Sequence, residues 1–398
     1  MSERLRMAAT GSVIIIVTVL ALNRSFYNLT AADMFFSITL AATVIVFLRV
    51  RPLWEALQVA GVSSILILLQ VIALRVPLRI MPALASLGTS SLALLACRRI
   101  WSTEGERNLL HYAFLPLLLF VLMGYAGSAP LAITGQLHPK TLDLFLYNFD
   151  ASLGVQLSFK AGRLVLQSRW LTRIALFFYF ALPIPVMLVY AQQLVRRGSA
   201  AMSVFLGFFI AGPVAVVFYN LLPACGPVYL LGSKFPLFPL SGQQVKEMVL
   251  QPVLVSGARN AFPSLHLAWA LLAWWYAEGL SYLTKLFLLL FLAGTVLATL
   301  GLGEHYFIDL VAAFPFALMI HAGCALHIPW LDQRRRIPFL GGALLMVGWI
   351  ALLRFGLSFA WGSPLVPWTL IGCTIVVCLV LDPKLQGDLP GSSVRLEQ

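Results

Sequence analysis

Long apolar stretches alternate with short polar segments along almost the whole chain. Stretches of about 20 apolar residues are typical of helices that cross a membrane. The pattern predicts about twelve such helices, at 7–22, 33–48, 53–74, 77–96, 112–133, 170–193, 201–222, 262–278, 284–302, 305–326, 338–354 and 365–381. The sequence therefore predicts an all-α protein, a polytopic transmembrane helix bundle.

Two of the segments between predicted helices are long. In residues 134–169, apolar residues recur at helical spacing among charged residues, which predicts amphipathic helices lying in the membrane interface over 138–169. We interpret Asp143 and Asp150 as structural residues of these helices. Residues 223–261 are rich in proline and glycine, and long loops of this kind are often functional.

Composition supports a membrane location. Of the 398 residues, 60% are hydrophobic and only 11% are charged, whereas soluble chains carry about 25% charged residues. The net charge of +12 would suggest nucleic acid as a partner of a soluble protein. Here the basic residues lie between apolar stretches, where they anchor helices at lipid headgroups, so no nucleic-acid partner is predicted. The five cysteines show no metal-binding spacing.

The distribution of lysine and arginine predicts an orientation. The apolar stretch Val13 to Leu22 follows two arginines without a small-residue cleavage site, so we expect a retained first helix. With twelve helices, most basic residues of the short loops fall on the side of the two termini. Because positive charge collects in the cytoplasm, both termini are predicted to be cytoplasmic. Segments 134–169 and 223–261 are then extracytoplasmic or lumenal.

Two polar motifs interrupt the apolar pattern. The first, Arg259-Asn-Ala-Phe-Pro-Ser-Leu-His266, opens the eighth predicted helix, and the second, Gly303-Glu-His-Tyr-Phe-Ile-Asp309, opens the tenth. Ionisable residues are costly in a membrane, so each motif is a candidate for function. One helix separates the two, so both helices run in the same direction and both motifs are expected at the same membrane face.

The residue types in these motifs suit phosphoryl transfer. His305 and Asp309 are four residues apart and share one helix face, so the carboxylate can accept a hydrogen bond from the imidazole. That contact leaves the other ring nitrogen nucleophilic. His266 could protonate the leaving oxygen. Ser264 and the free amides at the start of a helix suit phosphate oxygens.

These motifs resemble those of a known family. Pro263-Ser-Leu-His266 resembles the second signature of the type 2 phosphatidic acid phosphatase superfamily, and His305-Tyr-Phe-Ile-Asp309 resembles the third. Together they are most similar to the branch that contains the fungal inositol phosphorylceramide synthases, the aureobasidin A targets. The resemblance covers roughly residues 112–327 and implies a six-helix catalytic core. It implies no metal and no cofactor.

The resemblance also implies a role for each residue. His305 would form a phosphohistidine, Asp309 would orient it, and His266 would act as general acid and then as base. Ser264 would bind phosphate. Lys234 lies in the expected loop without the Arg-Pro pair of the family phosphatases, and Ala298-Thr299 replaces their Ser-Arg pair. Phosphate binding is therefore predicted for Lys234 and for Arg259, with Arg163 or Arg169 as further candidates.

Three parts of the chain are predicted. Residues 1–110 form an N-terminal extension of about four helices, 111–330 the catalytic core, and 331–398 two further helices with a polar tail. The predicted function is transfer of a phosphoryl-linked headgroup between a lipid donor and a lipid or polyol acceptor. The substrate would be a phospholipid or a polyprenyl or sphingolipid phosphate.

Other functions stay open at this point. A lipid phosphate phosphatase would use the same residues with water as the acceptor. A twelve-helix transporter is the alternative of another class, and it predicts matching broken helices in two related halves, which the sequence lacks. A catalytically inactive scaffold is disfavoured because His266, His305 and Asp309 are all present.

Overall fold

The structure is a computed structural model, and it describes residues 31–75 and 78–385. Within these ranges the chain is largely helical, which confirms the predicted all-α helix bundle. Eight helical segments are long and apolar enough to cross a membrane, and residues 34–50 and 265–275 form shorter apolar helices. The predicted helix at 7–22 and the polar tail lie outside the described residues.

Most of the helices are joined by short connections, and the longest connection is 247–264. In chain order they are α1 (Ala31–Val50), α2 (Ala56–Ala73), α3 (Ile80–Trp101), α4 (Glu104–Ala126), α5 (Ser128–Leu137), α6 (Asp143–Ser152), α7 (Leu157–Leu166), α8 (Arg169–Phe180), α9 (Pro183–Arg197), α10 (Met202–Leu221), α11 (Pro227–Leu231), α12 (Gly242–Lys246), α13 (Leu265–Trp275), α14 (Tyr282–Gly301), α15 (Phe307–Cys324), α16 (Gln333–Phe355), α17 (Leu357–Ala360) and α18 (Leu365–Leu381). Two short strands, β1 (Lys140–Thr141) and β2 (Val253–Leu254), pair antiparallel.

The remaining predicted helices each correspond to an observed one, with two differences. The predicted helix 170–193 is two helices, α8 and α9, which are separated at residues 181–182. Pro183 is the first residue of α9, and a proline has no N–H group to continue the preceding helix. The predicted helix 112–133 begins earlier, at Glu104, and is followed by the separate helix α5.

The described chain divides into two compact units. One contains the described residues up to Ser128 together with Phe180–Phe205, and the other contains Ala129–Tyr179 and the described residues from Leu206 onward. Both polar motifs lie in the second unit. The three-part division predicted from the sequence stays a prediction.

In the first unit, small polar residues join the helices. The hydroxyl oxygens of Thr43 and Ser91 lie 2.7 Å apart between α1 and α3. The Gln70 amide donates to Ser86 across 3.1 Å between α2 and α3. Hydrogen bonds between small polar residues are a common means of packing helices in a membrane. Buried Glu55 also pairs with Arg51 at 2.6 Å.

In the second unit, α13 and α15 lie side by side and run in the same direction. At their N-terminal ends, the backbone N–H of Ser264 donates to the carbonyl of Asp309 at 3.0 Å. At their C-terminal ends, the rings of Tyr276 and His321 pack edge to face, with centroids 4.6 Å apart. Both polar motifs therefore lie at one end of the same helix pair, as the sequence predicted.

The C-terminal helices pack on the same unit. The Trp349 indole donates to Thr374 and joins α16 to α18 across 3.1 Å. Two further tryptophans reach α6: Trp361 donates to the Asn148 side chain at 2.8 Å, and Trp368 donates to the carbonyl of Leu153 at 3.1 Å. These contacts hold α6 in place, and α6 carries Asp143 and Asp150.

Candidate active site

The two histidines meet at the N-terminal ends of α13 and α15. The ring centroids of His266 and His305 lie 6.1 Å apart in an edge-to-face arrangement. Ser264 is the N-cap of α13, and its hydroxyl oxygen accepts from the backbone N–H of Leu267 at 3.4 Å. Because that oxygen is an acceptor there, the Ser264 O–H remains available to donate.

The orientation of His305 follows from its main-chain contacts. Its backbone N–H donates to the carbonyl of Thr299 at 3.2 Å, and its Nδ1 lies 2.9 Å from the carbonyl oxygen of Ala261. A carbonyl oxygen can only accept, so Nδ1 carries the proton and Nε2 holds the lone pair. Burial lowers the pKa of His305 to about 4, which keeps the ring neutral and nucleophilic near pH 7.

Asp309 lies beside this ring. Its Oδ2 is 3.4 Å from Nδ1 of His305 and accepts from the backbone N–H of Tyr306 at 2.7 Å. Its Oδ1 is buried and has no hydrogen-bond partner within the described ranges. The carboxylate is therefore anchored through one oxygen and stands next to the nitrogen that would become positive if His305 formed a bond through Nε2.

Asp143, at the start of α6, holds the residue next to His305 in place. Its carboxylate accepts from the Tyr306 hydroxyl at 2.9 Å, and also from the backbone N–H groups of Cys225 at 3.1 Å and Gly226 at 2.9 Å. Its side chain is completely buried, and burial raises its pKa. One carboxyl group thus links α6, the loop after α10 and the turn that carries His305.

Asp150 performs a related task at the end of α6. It accepts from the backbone N–H groups of Phe307 at 2.6 Å and Ile308 at 3.1 Å, which are the first two residues of α15. These N–H groups have no partner within their own helix, so the aspartate acts as a cap supplied by another segment. Burial raises the pKa of Asp150 to about 8.

The sequence did not predict these two roles. The sequence pattern predicts Asp143 and Asp150 to be structural residues of amphipathic helices. They are structural residues, but what they stabilise is the turn that carries His305. The sequence does contain one indication of such a role. An acidic residue among apolar neighbours can be buried only with a hydrogen-bond donor. Their donors lie between 82 and 163 residues away, so the sequence pattern could not identify them.

The loop after α10 packs directly against this turn. The backbone N–H of Val228 donates to the carbonyl of Gly303 at 3.0 Å. Gly226 adopts φ +117°, and a Cβ there would lie 2.4 Å from the carbonyl oxygen of Glu304. Only glycine permits both this conformation and this approach. The proline- and glycine-rich segment therefore packs against the candidate site, and its functional role stays a prediction.

Glu304 lies between two tyrosines at the edge of the site. The Tyr229 hydroxyl donates to its carboxylate at 3.1 and 3.2 Å, and the Tyr179 hydroxyl approaches it at 3.5 Å. The Tyr179 ring also stacks on the His266 ring with centroids 4.1 Å apart. Partial burial raises the pKa of Glu304. The carboxylate, the two tyrosines and both histidines thus form one connected group.

The basic residues predicted to bind phosphate do not contact this group. Two of them donate to backbone carbonyls elsewhere, and the other two are exposed. The Arg259 guanidinium donates to the carbonyls of His138 at 3.0 Å and Pro139 at 2.9 Å, and also to that of Gly257. Arg259 is buried, and it binds the backbone just before strand β1. Arg163 similarly donates to the carbonyls of Pro236 and Leu237. The side chain of Lys234 is exposed, and so is that of Arg169.

The other histidines of the described chain have structural contacts. His138 bonds to Asn220 at 3.1 Å, and His321 pairs with Asp382 at 2.7 Å. His111 contacts Arg99 and His327 contacts the carbonyl of Leu385. Within residues 31–75 and 78–385 no group of three or more His, Cys, Asp or Glu side chains is arranged to hold a metal ion.

The fold and the site define a multi-pass membrane helix bundle with two histidines and an aspartate at one end of a helix pair. Residues 144–323 match the family model of the PAP2 superfamily, and this range includes both histidine motifs. No curated protein and no solved structure matches the chain. Members of that superfamily are phosphatases or phosphotransferases, so the match supports an enzyme.

Proposed function

We propose that the chain is a membrane phosphotransferase that moves a phosphoryl-linked headgroup from a lipid donor to a lipid or polyol acceptor. His305 would carry the group as a phosphohistidine. The observation that supports this most directly is the contact of its Nδ1 with the Ala261 carbonyl, 2.9 Å away, which leaves Nε2 as the nucleophile. The site would face the extracytoplasmic side of the membrane or the lumen.

In the first step, the lone pair of His305 Nε2 attacks phosphorus. The N–P bond forms as the P–O bond to the lipid alcohol breaks, and protonated His266 gives its proton to the leaving oxygen. The Nδ1 side of the ring becomes part of a positively charged imidazolium. Asp309, with Oδ2 3.4 Å from Nδ1, stabilises that charge.

In the second step, the acceptor alcohol attacks the phosphohistidine. Its oxygen forms the new P–O bond, the N–P bond breaks, and the electron pair returns to Nε2 of His305. His266 takes the proton from the acceptor hydroxyl and is ready for the next donor. The ring centroids of His266 and His305 are 6.1 Å apart, which places both rings beside one reacting group.

Ser264, Lys234 and Arg259 are the proposed phosphate ligands. Ser264 is supported by its place at the N-cap of α13, where helix N–H groups and the helix dipole favour an anion. Lys234 is exposed on the loop that packs on the His305 turn and is able to reach outward. Arg259 would have to exchange one of its three backbone carbonyls for a phosphate oxygen.

Transfer to an alcohol is favoured over transfer to water by the motif resemblance to the inositol phosphorylceramide synthase branch. The test incubates purified protein in detergent with ³²P-labelled phosphatidylinositol or phosphatidic acid. Each donor is offered alone and with dioctanoylglycerol, a short-chain ceramide or myo-inositol. A new labelled lipid or a labelled polyol phosphate supports the transferase, whereas labelled phosphate or headgroup released to water in every mixture supports the phosphatase.

His305→Ala is the decisive variant. Removal of a covalent nucleophile should lower donor turnover to about a thousandth of the wild-type rate or less. His327→Asn is the matched control, since His327 bonds to the carbonyl of Leu385 and lies outside both motifs. Full activity of His305→Ala would rule out the proposed mechanism, and a wild-type protein that consumes no lipid phosphate would favour the transporter alternative.

A further inference from the structure

Glu304 is a carboxyl group immediately before the proposed nucleophile. A negative charge there opposes the approach of an anionic phosphate, because like charges in a partly buried site repel strongly. The proposed donor chemistry gives this residue no task. The three other acidic residues near the turn accept from backbone N–H groups, whereas the described residues that hold Glu304 are Tyr229 and Tyr179, through their hydroxyl groups.

The carboxylate keeps capacity for further hydrogen bonds. A carboxylate offers about four acceptor positions, and two tyrosine hydroxyls do not fill them. Glu304 is only half-buried, and Tyr229 retains 39% of its surface exposed. The group is therefore open on one side to a molecule that arrives from outside the turn.

The same group lies next to the proposed general base. Tyr179 contacts Glu304 at 3.5 Å through its hydroxyl and stacks on His266 at 4.1 Å through its ring. His266 is in turn 6.1 Å from His305. A hydroxyl-bearing molecule bound at Glu304 would therefore have a reacting hydroxyl within reach of both His266 and a phosphoryl group on His305.

The arrangement is preorganised by the backbone. Val228 donates to the carbonyl of Gly303 at 3.0 Å, so the segment that carries Tyr229 is fixed to the segment that carries Glu304. The short approach of Gly226 to the Glu304 carbonyl fixes the same pair of segments a second time. A rigid pair of donor and acceptor groups binds a ligand with a smaller loss of entropy.

We propose that Glu304, Tyr229 and Tyr179 form the binding site of the acceptor, and that the acceptor is an uncharged molecule with at least two hydroxyl groups. This rests on the transferase function proposed above. One hydroxyl donates to the Glu304 carboxylate, and another gives its proton to His266 as its oxygen forms the bond to phosphorus. The carboxylate selects against a second anionic lipid at this position. Glu304 binds the acceptor and exchanges no proton.

The test separates the two half-reactions. Donor consumption is measured in a single turnover without acceptor, as ³²P incorporated into the protein, and transfer is measured over a range of short-chain ceramide or myo-inositol concentrations. The variants are Glu304→Gln, Glu304→Asp and Tyr229→Phe. Glu104→Gln is the matched control, because Glu104 is an exposed glutamate in the first turn of α4.

We expect Glu304→Gln to raise the acceptor KM about tenfold or more, as loss of a hydrogen bond to a charged group does. The donor single-turnover rate should not fall, because the substitution removes a negative charge that opposes the anionic donor. Tyr229→Phe should raise the acceptor KM by a smaller factor, and Glu304→Asp should recover part of the loss. Glu104→Gln should match wild type in both measurements.

An unchanged acceptor KM in Glu304→Gln would overturn this acceptor site, and so would an equal fall in both half-reactions, which indicates a structural role for the carboxyl group. The proposed function fails separately, if wild-type protein forms no phosphohistidine or transfers only to water. Size-exclusion profiles of each variant identify a folding defect, and Tyr229→Phe then tests the same site without changing the turn.

Discussion

Single residues determine which nitrogen of His305 can react. The Ala261 carbonyl engages Nδ1 at 2.9 Å, and the Asp309 carboxylate stands 3.4 Å from the same atom. Both contacts are on one side of the ring, so they fix its orientation and leave Nε2 on the other side. The ring is 2% exposed, and this burial opposes its protonation.

The burial of His305 makes a prediction about pH. Its pKa is lowered to about 4, and the neutral ring is the proposed nucleophile, so protonation of His305 should slow the donor step only as the pH falls toward 4 and not near 6.5. The measurement is the single-turnover rate of donor consumption between pH 3.5 and about 8. A fall centred near 6.5, the ordinary pKa of histidine, would contradict the burial seen here.

The residues of the proposed chemistry stand out in the sequence, whereas the residues that hold them in place do not. His266, His305 and Asp309 stand in short motifs whose spacing carries their meaning. Asp143, Asp150 and the tyrosines of Glu304 act through partners far away in the chain. Whether a buried aspartate faces a backbone N–H or a lipid headgroup depends on the packing of separate helices, and periodicity contains no information about that.

At the scale of elements, the first turn of α15 is completed by α6. The backbone N–H groups of Phe307 and Ile308 are satisfied by Asp150, so Asp150→Ala should lower the free energy of unfolding by about 1–3 kcal/mol. Asp150→Asn keeps an acceptor oxygen and should cost less than half as much. Thermal unfolding in detergent, followed by tryptophan fluorescence, measures both variants, and equal losses would mean that the contact with the N–H groups is not the cause.

The pH dependence of stability provides a second readout of this cap. The pKa of Asp150 is about 8 in the folded state against the ordinary value of 3.8, so the folded state binds the proton more tightly. The stability that this group contributes is therefore present below about pH 4 and is lost progressively as the pH rises toward 8. Asp150→Asn should remove that part of the slope, whereas a slope unchanged from wild type would show that Asp150 does not titrate in this way.

The contact between the loop after α10 and the His305 turn is another property of elements. Gly226→Ala introduces a Cβ 2.4 Å from the Glu304 carbonyl oxygen, at a φ of +117° that disfavours alanine. We expect the turn to shift and kcat to fall at least tenfold, since small displacements of a reacting group are costly. Gly242→Ala is the control, because nothing lies within 4 Å of a Cβ there. If both variants kept wild-type kcat, the loop would not position His305.

The helices themselves were predictable from hydropathy, and the breaks between them were less so. The apolar pattern continues from α8 into α9, yet the chain ends one helix and begins another at Pro183. A proline inside a predicted membrane helix is compatible with either a kink or a break, and tertiary packing decides between them. The pairing of β1 with β2, which joins segments over a hundred residues apart, had no sequence signal either.

At the scale of the whole molecule, apolar length and charge carry different information. Eight described segments meet the length and hydropathy of a membrane crossing, which supports a multi-pass protein. Hydropathy does not predict which helices belong to the same unit. Helix α9 belongs to the unit of the N-terminal helices, although the intervening residues Ala129–Tyr179 belong to the other unit. Helix contacts in a membrane depend on small residues and side-chain hydrogen bonds, which hydropathy does not encode.

The orientation predicted from lysine and arginine can be tested with two positions on opposite sides of α15. This helix has 18 residues, or about 27 Å, which is close to the thickness of the bilayer core. Ser233 lies on the loop that packs on the site at its N-terminal end, and Gln333 follows its C-terminal end. Both are exposed.

A single cysteine at each position, in a background with Cys97 and Cys373 replaced by serine, makes the two faces distinguishable, because the other three cysteines are buried. In intact cells or sealed vesicles, a membrane-impermeant maleimide should label Ser233→Cys, since the charge distribution predicts that the site is outside the cytoplasm. Gln333→Cys should react only after permeabilisation. The reverse result would put the site in the cytoplasm and require donor lipids from the inner leaflet, and labelling of both positions in sealed membranes would mean that α15 does not cross the bilayer.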